Sequence, residues 1–133
     1  YARTDVLDDG SVDAALEQAS ELGVLRYAVI AHGGFGVAQR IVNRDGSPAE
    51  MKGGFVKTLN LYLTGTYNVL RLTAAKLAAG EPKESGERGA IVMTSSIAGY
   101  EGQIGQTAYA AAKAGVMGLT LSGARDLARL RCA

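Results

Sequence analysis

Cysteine and histidine are almost missing from this chain, and each scarcity narrows what it can be. One cysteine, Cys132, among 133 residues leaves no internal disulfide to form, so a reducing cytoplasm is the expected setting. One histidine, His32, beside that one cysteine excludes a zinc centre built from those ligands, and no metal is expected. Charge of one sign is lacking too: 14 Lys and Arg against 13 Asp and Glu give a net +1. That balance offers no basic stripe for nucleic acid and no polybasic patch for anionic lipid. Long hydrophobic runs are absent. The longest, around Tyr27 to Ala31 and Ile91 to Met93, fall far short of the about 20 apolar residues that span a bilayer. Tyr1-Ala2-Arg3-Thr4-Asp5 lacks the apolar core of a secretory signal. What is present, 47% apolar residues, suits one soluble globular domain over residues 1–133.

Apolar residues at Val12, Ala15, Leu16, Ala19 and Leu22 recur at helical spacing, which predicts a first helix capped by Ser11 and stopped by Gly23. Tyr27 to Ala31 is a short apolar run without alternation, the pattern of a parallel strand buried on both faces. His32-Gly33-Gly34-Phe35-Gly36 follows as a loop at its carboxyl end. Met51 to Ala79 reads as one long helix stopped by Gly80 and Pro82. Its glycines Gly53, Gly54 and Gly65 are each disfavoured by about 1 kcal/mol relative to Ala, so they point to close packing against another helix or to a bend. Ala90 to Thr94 reads as a second strand and Gln106 to Leu130 as a third helix. Helix, strand, helix, strand, helix predicts an α/β fold with a parallel sheet and right-handed crossovers.

The segment between the second strand and the third helix carries chemistry. Ser96 lies just past the carboxyl end of a strand, where ligands gather in open α/β sheets. Tyr109 and Lys113 are four apart near the start of a helix, so they share one face. A Tyr, with an ordinary pKa of about 10, is a poor base at neutral pH. A Lys ammonium one turn away favours its phenolate by direct charge interaction. A Ser hydroxyl that hydrogen-bonds the reacting oxygen completes a proton-transfer site for an alcohol or ketone.

Ser96, twelve residues, Tyr109, three residues, Lys113, with the small residues Ala110, Ala111, Ala112, Ala114 and Gly115 around the Lys, resembles the signature of the short-chain dehydrogenases/reductases. The resemblance runs along the whole chain. Asp5-Val6 looks like the family's Asp at the end of its third strand, beside the adenine ring. Gly65-Thr66-Tyr67-Asn68-Val69 looks like a stretch of its fourth helix. Ala31-His32-Gly33-Gly34 aligns with its Asn-Asn-Ala-Gly loop, and Glu101-Gly102-Gln103-Ile104-Gly105-Gln106 resembles the hydroxyacyl-CoA and hydroxysteroid dehydrogenase branch.

This resemblance implies a Rossmann-type doubly wound domain and an NAD(P)-dependent oxidoreductase that interconverts a secondary alcohol and a ketone, first of all a hydroxyacyl thioester. NAD is implied before NADP through the branch alone. Ser96, Tyr109 and Lys113 would be catalytic; Asp5, Val6, Gly33, Gly34, Tyr109 and Lys113 would face the cofactor; Gln103 would line the substrate pocket.

Several departures oppose that picture. The family's opening glycine-rich strand, turn and helix is not in this sequence, so the resemblance covers a middle and catalytic portion. If Asp5 ends a third strand, the sheet would have a hole at its centre. Ala31 replaces the Asn that ties neighbouring strands, and no family role matches His32. Tyr62 aligns with a fourth catalytic residue, an Asn that anchors a proton-relay water. Asn60, two positions earlier, lies about 200° around the helix and cannot simply substitute. The competing reading is a catalytically incomplete relative, or a truncation, that keeps only the scaffold for association.

The third helix is apolar nearly all round and the long helix shows too little polarity for a solvent face, which calls for a partner; the resembling family pairs these two helices, which implies a homodimer or homotetramer through them, with Gly65, Ala111 and Gly115 allowing close approach. Because no glycine-rich helix start is present to receive a pyrophosphate, the 133-residue chain alone should bind NAD weakly. Calorimetry should find no micromolar binding.

Overall fold

The computed structural model describes residues 1–34 and 36–132; Phe35 of the expected loop lies outside them. In chain order the elements are α1 (Asp9–Glu21), β1 (Tyr27–Ile30), a long helix over 51–79, β2 (Ala90–Met93), α4 (Ala98–Glu101) and α5 (Thr107–Ala128). Within the long helix, π-helical turns at Met51–Val56 and Asn60–Thr64 flank α2 (Lys57–Leu59), and α3 (Gly65–Ala79) completes it. β1 and β2 pair in parallel, Tyr27 opposite Ala90 and Ile30 opposite Met93. The architecture is α/β with a small parallel sheet, as the order of patterns predicts.

The N-cap of α1 is Asp8 rather than Ser11. The Asp8 carboxylate accepts the Ser11 N–H at 2.7 Å, while the Ser11 hydroxyl accepts the Asp5 N–H at 2.9 Å. An Asp three residues before the first free N–H caps as well as a Ser does, and here the Ser is engaged one turn back. At the start of the same helix Arg71 pairs with Asp9 at 2.6 Å. That hydrogen bond holds the Asp9 carboxyl below the ordinary carboxylate range.

The strands differ from expectation in two ways. β1 and β2 are adjacent and hydrogen-bonded, and residues 1–8 form no strand, so Asp5 does not end a strand of this sheet. Nor are the strands buried on both faces. Side chains alternate along a strand. Ile30 on one face is 5% exposed, whereas Val29 and its partner Val92 are 70% and 57% exposed. The apolar run promises two covered faces, and only one is covered among the described residues.

The glycines of the long helix accept loops more than helices. A Cβ on Gly54 would collide with the Gln39 side chain, and one on Gly65 would meet Val6 and His32. Asn68 holds Val6 in that position, donating to its carbonyl at 2.9 Å. Helix-to-helix approach occurs instead at Gly115 of α5, where a Cβ would lie 2.8 Å from Leu63 Cδ1. Gly65 and Gly115 are therefore used within the chain. They are not available for a seam between copies, although Ala111 is exposed.

The stretch before α5 contains the short helix α4. Its Gly99 lies directly on α5: a Cβ would sit 2.9 Å from the Ala114 backbone nitrogen and 2.6 Å from Met117 Cε. Met117 can swing aside, but the backbone cannot. Ala is normally about 1 kcal/mol better than Gly inside a helix. Gly99→Ala should instead destabilise the protein by about 1–3 kcal/mol, the usual range for overpacking. Urea unfolding of the variant against the parent measures the sign.

Candidate active site

Tyr109 enters at the first turn of α5 and Lys113 follows one turn later, so the helical repeat puts both on one face, which Lys113 turns to the end of β2. Lys113 is only 5% exposed. Its ammonium donates to the Thr94 carbonyl at 2.7 Å, and the Ser95 hydroxyl donates to the Lys113 carbonyl at 2.8 Å. Two residues just past the strand thus fasten the helix at this turn. The Lys113 Nζ also stands 5.9 Å from the centre of the Tyr109 ring, within reach of a cation–π attraction.

Ser96 follows Thr94 and Ser95 at the strand end. Its hydroxyl accepts the Ala98 N–H at 3.2 Å and its carbonyl accepts the Gly99 N–H at 3.0 Å, which together start α4. The structure brings Tyr109 and Lys113 together at the end of β2 and places Ser96 at that same end. No hydrogen bond joins Ser96 to Tyr109 among the described residues.

Tyr62 is also at the centre. It is 7% exposed, its ring meets that of Tyr109 edge to face with centroids 4.8 Å apart, and the Lys113 Nζ lies 5.3 Å from its centroid. Its hydroxyl donates to the Gly34 carbonyl. Gly33 and Gly34 therefore form the exposed lip of a loop laid over the long helix. Cβ atoms on Gly33 and Gly36 would stand 3.7 and 3.2 Å from the Tyr62 ring.

His32 fastens the other side of the loop, its Nε2–H donating to the Leu61 carbonyl at 2.8 Å. Val37 N–H adds a bond to the Thr58 hydroxyl at 3.1 Å. Asn60 is exposed and bonded to Thr64, so it does not take the place of the expected Asn.

The remaining expected residues are more peripheral. The Asp5 carboxylate accepts the Leu7 N–H at 2.9 Å, a local turn, while Val6 is packed at Gly65 beside His32. Gln103 is exposed in the turn after α4, its carbonyl accepting the Gln106 N–H. No cluster of three metal-ligating side chains occurs, and no helix is long and apolar enough to cross a membrane, among the described residues. Thr94 and Ser95 were missed by sequence reasoning. Thr94 acts through its backbone carbonyl, which leaves no side-chain signal.

The family model for short chain dehydrogenase matches residues 1–132. The 3-hydroxyacyl-CoA dehydrogenase type-2 of Bos taurus is 43% identical over 129 residues, covering 96% of this chain and 49% of that protein. The human (3R)-3-hydroxyacyl-CoA dehydrogenase is 45% identical over 78 residues, 57% of this chain and 28% of that one. A crystal structure of 3-hydroxyacyl-CoA dehydrogenase type-2 from Mycobacterium avium superposes with a TM-score of 0.95 at 69% identity, covering 98% of this chain and 51% of that chain. The chain thus spans about half the length of the relatives it matches most fully. Matched along nearly its whole length by that model and by those relatives, it belongs to the short-chain dehydrogenase family.

Proposed function

We propose that the protein to which this chain belongs is an NAD(P)-dependent oxidoreductase of the cytoplasm that interconverts a 3-hydroxyacyl thioester and its ketone by hydride transfer. The observation that carries the reading is the Tyr109–Lys113 pair at the end of β2, with Lys113 buried and fixed to Thr94. The names of the relatives support the substrate class, and the branch supports NAD before NADP.

The residues present fit one end of such a cofactor. The Gly33–Gly34 lip is exposed backbone, and an ammonium with three N–H donors spends one on Thr94. In this reading Lys113 directs a further N–H to the ribose, and Asp5, Val6, Gly33 and Gly34 line the nucleotide side. A nicotinamide held there would supply hydride donor and acceptor chemistry to the substrate carbon.

Tyr109 takes the hydroxyl proton when the alcohol is oxidised and returns it when the ketone is reduced. Lys113 keeps a positive charge beside Tyr109, its Nζ 5.9 Å from the ring centre. Ser96 donates a hydrogen bond to the substrate oxygen as charge develops there, and Gln103 borders the substrate. Tyr109→Phe removes one hydroxyl and should abolish nearly all turnover in the intact protein, with unfolding temperature little changed. Following reduced nicotinamide with hydroxyacyl thioesters, hydroxysteroids and simple secondary alcohols tests this and ranks the substrate classes.

The reading includes a homodimer or homotetramer formed through the long helix and α5. Met51, Val56, Tyr67 and Leu121 on these helices are large apolar side chains that remain exposed, and such faces call for cover. Light scattering on the intact protein at micromolar concentration should give twice or four times the monomer mass. Gly115 is not the place to break the assembly, because it already touches Leu63 of its own chain.

A further inference from the structure

We infer that Tyr62 is a positioning residue that couples the glycine loop after β1 to the Tyr109–Lys113 pair, an inference that rests on the oxidoreductase reading above. One side chain touches all three parts. Its hydroxyl donates to the Gly34 carbonyl, its ring braces that of Tyr109 edge to face, and the Lys113 ammonium lies 5.3 Å from its centroid.

The loop can reach Tyr62 only because it is made of glycine there. A Cβ on Gly36 would already be 3.2 Å from both the Tyr62 Cε2 and the Thr58 Cγ2, so the backbone lies against the ring. Immediately before Tyr62, the Leu61 carbonyl accepts the His32 Nε2–H. Two consecutive helical residues therefore bond the loop reciprocally, one accepting from His32 and the other donating to Gly34. Both fall in the π-helical turn Asn60–Thr64, where Gly65 N–H bonds the Asn60 carbonyl five residues back. Such widened turns recur at functional sites because they re-aim side chains.

The chemical roles separate by atom. The hydroxyl fixes the loop whose Gly33 and Gly34 are proposed to face the cofactor. The ring fixes the Tyr109 ring laterally and gives the buried ammonium a π face where water is excluded. A tyrosine that merely fills the core would contribute to stability through either part, without separating cofactor affinity from turnover.

Two variants of the intact protein test this. Tyr62→Phe keeps the ring and removes only the bond to Gly34. Without cofactor, amide hydrogen exchange in a peptide covering 31–38 should quicken about threefold to tenfold, the range for one net hydrogen bond. NAD binding, measured by calorimetry, should weaken by a similar factor while kcat stays within twofold of the parent.

Tyr62→Leu removes the brace as well, and kcat should fall about tenfold or more. If it does not fold, the phenylalanine variant alone decides. Unchanged exchange and NAD affinity in Tyr62→Phe, or parental kcat in a folded Tyr62→Leu, would overturn the inference. The exchange measurement needs no turnover. If the parent transfers no hydride to any substrate class, the oxidoreductase reading fails while the loop coupling is still decided by exchange.

Discussion

The arrangement around the end of β2 is governed by the need to hold the Lys113 ammonium where only 5% of the residue meets solvent. Removing such a cation from water costs several kcal/mol unless it regains partners. Here the partners come from three directions. The Thr94 carbonyl accepts one N–H at 2.7 Å, and the rings of Tyr62 and Tyr109 lie within 6 Å, the range in which a ring quadrupole attracts a cation. Each partner fixes a different element: the strand end, the long helix and the start of α5. The ammonium thereby acts as the point at which these elements are registered to one another.

The long helix is the rail along which the rest is mounted. Gly65 receives Val6 and His32, Leu61 and Tyr62 receive the glycine loop, Thr58 receives Val37, and Gly54 receives Gln39. These contacts follow the chain in reverse, so the segment after β1 runs antiparallel over the helix and is tied at each turn. Small residues at these points let backbone come close, and the hydrogen bonds then satisfy loop groups that would otherwise need water. Both π-helical turns fall among them, which fits a helix whose side chains are aimed at a loop rather than at a repeating helical neighbour.

Much of this was legible in the sequence and some was not, for physical reasons. Periodicity located every main helix and both strands, because burial of one face imposes it. The edges moved by a residue or two where caps compete, as Asp8 displaced Ser11 at the start of α1. The run from Tyr27 to Ile30 looked buried on both sides, yet apolar composition cannot say what covers a face, and Val29 is 70% exposed. At the site, spacing carried Tyr109 and Lys113, since four residues in a helix dictate their shared face. Thr94 was invisible because its contribution is a carbonyl that every residue possesses. The glycines of the long helix announced close approach correctly, but their partners proved to be loops, which leave no periodic trace.

The two substitutions that looked like losses acquire a joint meaning in the structure. Ala31 lacks the amide expected to tie neighbouring strands, and Tyr62 lacks the amide expected to hold a water. In the same neighbourhood His32 bonds Leu61 and Tyr62 bonds Gly34, so the loop is tied to the helix by two bonds of a different kind. Residues that share one network do not contribute additively. Changing His32 or Tyr62 alone should loosen the loop while the other bond remains, and changing both should loosen it by an amount that differs from the sum of the single effects. The departures at 31, 32 and 62 are therefore better understood as one altered fastening of the loop than as separate erosions, and the Tyr109–Lys113 pair stands on the far side of that fastening with its own ties to Thr94 and Ser95 intact.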